Sequence, residues 1–177
     1  MDEKGFTLVE LLVSAFIFSI VVITVVSVFT AAIKLQNNVL TAKRVVGETN
    51  YALEFMGRNL RMAVKDKTGA CIAQNTNYAY RPESNSSGII FRNGLQNGEC
   101  QEIYLENNQI KFKKGDSMPA DLTSPGIQIN VLKFVVAGDS LGDNKQPLVT
   151  IYLEAKSGQT PPLKIETSVS QRNLDAN

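Results

Sequence analysis

Histidine and tryptophan are both absent from the 177 residues. Without histidine, the commonest general base and the commonest metal ligand are missing together. Carboxylates or a Ser-Lys pair could still do chemistry, but no nucleophile or acid-base motif is recognisable, so the composition argues for a protein that is not an enzyme. Net charge is nearly absent as well: 18 Lys and Arg stand against 17 Asp and Glu, a balance of +1. No basic stripe interrupts that balance, which gives no reason to expect nucleic acid as a partner. Cysteine is confined to Cys71 and Cys100. Between Leu11 and Ile33 there is no charged residue at all.

That uncharged run is the strongest positive signal. Its 23 residues are enough to span a bilayer core as one helix. A single acidic residue, Glu10, sits just inside its N-terminal edge. An ordinary secretory signal fits poorly, because Asp2-Glu3-Lys4 is net acidic and the apolar run exceeds the usual core of roughly 7–15 residues. A plain membrane anchor explains Leu11–Ile33 but leaves Gly5-Phe6 and Glu10 as accidents.

The stretch Lys4-Gly5-Phe6-Thr7-Leu8-Val9-Glu10-Leu11-Leu12-Val13 closely resembles the processing site of type IV prepilins and type II secretion pseudopilins. The resemblance implies cleavage between Gly5 and Phe6 by a membrane aspartyl peptidase, then N-methylation of Phe6. Glycine at that position would let the peptidase approach the backbone closely. It also implies a filament-assembly role for Glu10, whose carboxylate would face the N-terminal amine of a neighbouring subunit. A carboxylate at mid-bilayer costs roughly 2.5–3.5 kcal/mol even on a lenient scale, so a partner is expected there. The plainer alternative places Glu10 at the headgroup boundary, favoured by the helix dipole alone. Loss of the leader would take the net charge from +1 to +2. Unlike many major pilins, the chain has no proline in Leu11–Ile33, which puts local melting of that helix in a fibre in doubt.

Beyond Lys34 the apolar residues Leu35, Val39, Ala42, Val46, Leu53, Met56, Leu60 and Val64 recur at helical spacing. Charged residues, among them Glu54 and Arg58 at i, i+4, occupy the opposite face. The pattern predicts one helix from about Phe6 to about Lys65, on the order of 90 Å long. Gly47 and Gly57 each weaken it by roughly 1 kcal/mol relative to Ala and are candidate bends. Thr7, Ser14, Ser19, Thr24, Ser27 and Thr30 punctuate the apolar half, either to permit close helix packing in lipid or merely to satisfy their own helix carbonyls.

The composition then changes. Asn75–Gly88 is rich in Asn, Ser and Tyr and reads as a loop. Strand candidates follow at Gly88–Arg92, Gln101–Leu105, Gln109–Lys113, Ile127–Val136, Leu148–Leu153 and Leu163–Val169. Glu106-Asn107-Asn108 is a hairpin turn between the second and third of these. Ile127, Ile129 and Val131 alternate as a half-buried strand should. The expected architecture is α+β: a long N-terminal helix packed on a C-terminal antiparallel sheet, as in pilins. Its divisions are a leader over 1–5, a membrane or filament-core helix over 6–33, an amphipathic half over 34–65, and a β domain over 66–177 with its loop at 75–88.

Cys71 and Cys100 fall in the part expected outside the cytoplasm, where one disulfide is the natural reading and two unpaired buried thiols the alternative. Asp139-Ser-Leu-Gly-Asp143-Asn144 offers oxygen ligands for calcium through Asp139 and Asp143, but the same residues make an ordinary turn. No other cofactor is expected. The ending Glu166–Asn173 is similar to the final strand of the larger minor pseudopilins, the J type in particular. These readings converge on a structural subunit, a minor one, of a type IV pilus or secretion pseudopilus. Its partners would be the prepilin peptidase, other pilin or pseudopilin subunits and the membrane. It would cross the cytoplasmic membrane once, with the C-terminal domain outside, before entering a filament. The competing class is a membrane-tethered binding module that uses the helix only as an anchor.

Overall fold

A computed structural model describes residues 5, 7–82, 84, 86–95, 98–139, 145–158 and 160–172. The chain forms two compact units, Met1–Thr41 and Ala42–Asn177. One helix, α1 (Leu8–Arg61), provides the regular structure of the first unit and the opening element of the second. From Leu8 to Leu40 every residue of α1 is exposed, although nearly all are apolar as far as Ile33. That is the signature of a helix whose natural surroundings are not water.

In the second unit α1 buries one face made of Val45, Thr49, Ala52, Met56, Gly57 and Leu60. This corrects the expected stripe. Leu35, Val39 and Val46 are exposed, and only Met56 and Leu60 of the predicted set are fully buried. Small residues define the contact: a Cβ built on Gly57 would lie 3.4 Å from Val169 Cγ2, so glycine there serves close packing against a strand. The helix also ends earlier than Lys65. It stops at Arg61, and Ala63–Val64 already forms strand β1. Its last carbonyls are captured from afar: Tyr78 Oη donates to Leu60 O at 2.7 Å and the Arg172 N–H to Arg61 O at 2.8 Å. Periodicity alone cannot see such partners.

The β structure divides into two antiparallel sheets where a single one was expected. The first contains β1, β2 (Tyr78–Tyr80), β3 (Gly88–Asn93), β4 (Cys100–Glu106), β5 (Gln109–Lys114) and β6 (Ala120–Asp121). Its order is β1-β3-β4-β5-β6, with β2 also paired to β3. The stretch read as a loop over 75–88 therefore holds a strand, with Tyr78, Ala79 and Tyr80 opposite Phe91, Ile90 and Ile89. The second sheet is β7 (Gln128–Ala137), β8 (Leu148–Lys156) and β9 (Leu163–Ser170), in that order.

Local chemistry explains the registers. Glu106 pairs with Gln109, leaving Asn107 and Asn108 as a two-residue turn with φ of 51° and 61°. Positive φ at both positions is the geometry that suits right-twisted hairpins, and Asn tolerates it well. In β7 the alternation does not continue through Val131. A register shift between Ile129 and Val131 turns Val131 outward, and burial resumes at Leu132 and Phe134.

The two sheets are stitched along one edge of β7. Its N–H groups at Ile129 and Phe134 donate to Asn108 O and Ser86 O, both at 2.9 Å. The N–H of Val136 donates to Tyr80 Oη at 3.1 Å. One core results, in which Met56 and Leu60 of α1 join Ile89, Phe91, Ile103 and Ile110 of the first sheet and Phe134, Val149 and Ile151 of the second.

Candidate functional site

The helix start carries the first group of predicted residues. Gly5 is exposed, with nothing within 4 Å of where a Cβ would sit. Phe6 lies outside the described residues. Thr7 precedes the first helical residue and acts as its N-cap: the N–H of Glu10 donates to Thr7 Oγ1 at 3.3 Å and that of Leu11 to Thr7 O at 3.2 Å. Thr7-Leu8-Val9-Glu10 is thus a capping sequence with its carboxylate at the third helical position. Glu10 is exposed in the first turn, where the helix dipole favours negative charge.

Along the apolar half, the hydroxyls bond to their own helix. Ser14 donates to Glu10 O at 2.7 Å, Ser19 to Ala15 O at 2.8 Å, Thr24 to Val21 O at 2.7 Å and Ser27 to Thr24 O at 2.8 Å. Thr30 does the same with Val26 O. The helix is long and apolar enough to cross a membrane.

The second group surrounds the cysteines. Cys71 and Cys100 are disulfide-bonded, 29 positions apart in sequence with Cα atoms 5.5 Å apart. Cys100 opens β4, opposite Arg92 of β3. Cys71 sits in a turn organised by Asp66, which is fully buried. One oxygen of Asp66 accepts the N–H of Thr68 at 3.1 Å, the Thr68 hydroxyl at 2.9 Å and the N–H of Gly69 at 3.0 Å. The other accepts the N–H of Cys71 at 2.7 Å and of Ile72 at 3.2 Å. Burial alone would raise the pKa of this carboxyl; the donors from Cys71, Ile72 and Thr68 outweigh it and hold the group well below the usual carboxylate range. Arg92 Nη1 adds a charge partner at 3.4 Å.

Two further polar ties fix the β domain. Glu48 accepts the Ser124 N–H at 3.0 Å and its hydroxyl at 2.9 Å, and meets Arg44 at 2.9 Å. Desolvation pushes its pKa up, but those bonds to Ser124 and Arg44 leave it lowered. The carboxylate of Asp139 accepts from Asn77 N at 3.0 Å, Asn77 Nδ2 at 2.8 Å and Tyr78 N at 3.3 Å. It pins the start of β2. Asp143, the other calcium candidate, lies outside the described residues, as do 140–142 and Asn144. Among the described residues no group of three or more His, Cys, Asp or Glu side chains could hold a metal ion.

Residues 1–26 match the family model of the prokaryotic N-terminal methylation motif. The chain carries the type IV pilin and pseudopilin signature. No curated protein and no solved structure matches it. The motif covers Gly5, Phe6 and Glu10 and, with the apolar helix that follows it, fits a membrane-anchored structural protein made as a processed, pilin-like precursor. It stops short of the β domain, whose Asp66, Arg92 and Gln171 no sequence argument singled out. Only Asp66 left a local trace, since Asp followed by Thr68-Gly69 is a turn-forming string.

Proposed function

We propose that this chain is a minor structural subunit of a type IV pilus or a type II secretion pseudopilus. It is cut between Gly5 and Phe6, methylated on Phe6, held in the cytoplasmic membrane by α1 with the β domain outside, and polymerised through that helix. The observation that carries the reading is the pairing of the motif over residues 1–26 with a helix apolar on every side from Leu11 to Ile33. Such a surface needs lipid or like helices around it. Glu10 is its one acidic residue near the start, and in an apolar setting it pairs with the amine freed at Phe6 of a neighbour. The ending Glu166–Asn173, similar to that of J-type minor pseudopilins, supports a minor subunit.

The test is the intact mass of the protein from its native membrane together with sequencing of its N-terminal peptide. A chain that begins at N-methyl-Phe6 is the expected result. A chain still beginning at Met1, in cells with an active prepilin peptidase, would overturn the reading and favour a tethered module.

A further inference from the structure

The two cysteines reach their bond on arms that are tied together a second time, without covalency. Asp66 holds the Cys71 arm through four backbone N–H groups, that of Cys71 at 2.7 Å being the shortest. Arg92 holds the Cys100 arm. It stands opposite Cys100 in the β3–β4 register, and its Nε donates to Gly98 O at 2.8 Å, in the turn that leads into β4. The guanidinium then reaches Asp66 at 3.4 Å and closes the circuit. Gly98 is part of this arrangement: its φ is +71°, and a Cβ there would lie 2.5 Å from Arg92 Nε.

We infer that Asp66 and Arg92 are the positioning pair for the Cys71–Cys100 disulfide, bringing the two thiols together in the folded, reduced domain before the bond forms. The ionic tie and the covalent one favour the same placement of the two arms, so each strengthens the other, and by linkage the coupling is reciprocal. The oxidant is a small disulfide such as oxidised glutathione. One cysteine thiolate attacks it and releases one glutathione thiolate; the second cysteine then attacks the mixed disulfide and releases the other. The protein gives up two electrons and two protons, and one oxidised glutathione becomes two reduced ones. Neither Asp66 nor Arg92 takes part in that exchange; they act through the backbone around each sulfur.

The test is the equilibrium of the full chain, in detergent micelles, with a series of glutathione redox buffers. Asp66→Asn and Arg92→Gln are each expected to lower the equilibrium constant for disulfide formation by about tenfold, the scale of an ordinary coupling between two ties, because the reduced arms are then free to separate and must be brought together again for the bond to form. Glu48→Gln weakens a comparable carboxylate tie, to Ser124 and Arg44, outside the cysteine arms and is expected to leave the constant within about twofold of wild type. An unchanged constant in both arm variants, or an equal fall in Glu48→Gln, would overturn the proposal. Amide exchange in the reduced wild-type chain gives a second reading that needs no variant to fold. The N–H groups of Thr68, Gly69, Cys71 and Ile72 are expected to stay protected; exchange at unfolded-chain rates would sink the idea.

Discussion

The side-chain amide of Gln171 donates to the carbonyl of Ala63 at 2.6 Å, across 108 positions of sequence. It also reaches Asn77 Oδ1 at 3.3 Å, so one buried amide ties the end of β9 to β1 and to the start of β2. Gln171→Met keeps the volume and removes both bonds, leaving the Ala63 carbonyl without its donor. Because the substitution also deletes Gln171 Oε1, which has no partner among the described residues, the net loss is expected near the low end for a stripped buried acceptor, about 1 kcal/mol. Denaturant unfolding should show a lower midpoint at an unchanged slope.

Thr49 predicts the opposite sign. It is 1% exposed on the buried face of α1, and its hydroxyl oxygen has no hydrogen-bond partner among the described residues. Valine has the same shape and nearly the same helix propensity. Thr49→Val should therefore raise stability by about 1 kcal/mol, because an unsatisfied buried hydroxyl is replaced by a methyl. A fall in the unfolding midpoint would mean that the hydroxyl has a partner after all.

Asp66 sets a pH dependence. Its folded pKa lies below the ordinary carboxylate value, so the folded state binds fewer protons than the unfolded one in acid. The stabilisation is fully present above the unfolded value of about 3.9 and is lost as pH falls below it toward the folded value. Asp66→Asn should thus be less stable than wild type at pH 7, with the gap narrowing steadily below about pH 4. Unfolding midpoints measured from pH 2 to pH 7 would reveal it; a gap that stays constant with pH would refute the assignment.

Glu10→Gln separates processing from assembly. The substitution keeps the side chain's shape and the Thr7 cap, which uses the backbone N–H of residue 10. Cleavage after Gly5 should proceed, giving the processed mass, while the sedimentable filament fraction should fall at least about tenfold, as expected when a buried charge pair loses one member. Filaments at the wild-type level would leave the Glu10 carboxylate with its place at the positive end of the helix dipole alone.

What was legible in the chain was local. The processing motif is a linear string, and the turn at Asn107-Asn108 is fixed by two residues that accept positive φ. The long strands followed from β-branched runs, and the helix from its length and pattern. What escaped depends on distant partners. The buried face of α1 was misplaced because Thr49, Ala52 and Gly57 are small, and a search for large apolar residues passes over them. Strand β2 hides in a polar stretch because it is only three residues long, and its pairing with β3 and its hold on Asp139 are both distant in sequence. The helix end at Arg61 was invisible because Tyr78 and Arg172 supply the donors. The disulfide was a reading of compartment, and the clasp that Asp66 and Arg92 build around it lay beyond any spacing rule.

The self-bonded hydroxyls of α1 have a consequence for the proposed filament role. Between Leu11 and Ile33 the hydroxyls of Ser14, Ser19, Thr24, Ser27 and Thr30 donate to carbonyls of their own helix, so none of them needs an acceptor on a neighbour. No side-chain bond needs to break when acyl chains give way to other helices, or when the helix turns about its axis to find a better fit. Its surroundings can be exchanged at constant hydrogen-bond count, so that shape alone selects among them. In the proposed passage from membrane to filament, that indifference means the move costs this helix no hydrogen bond.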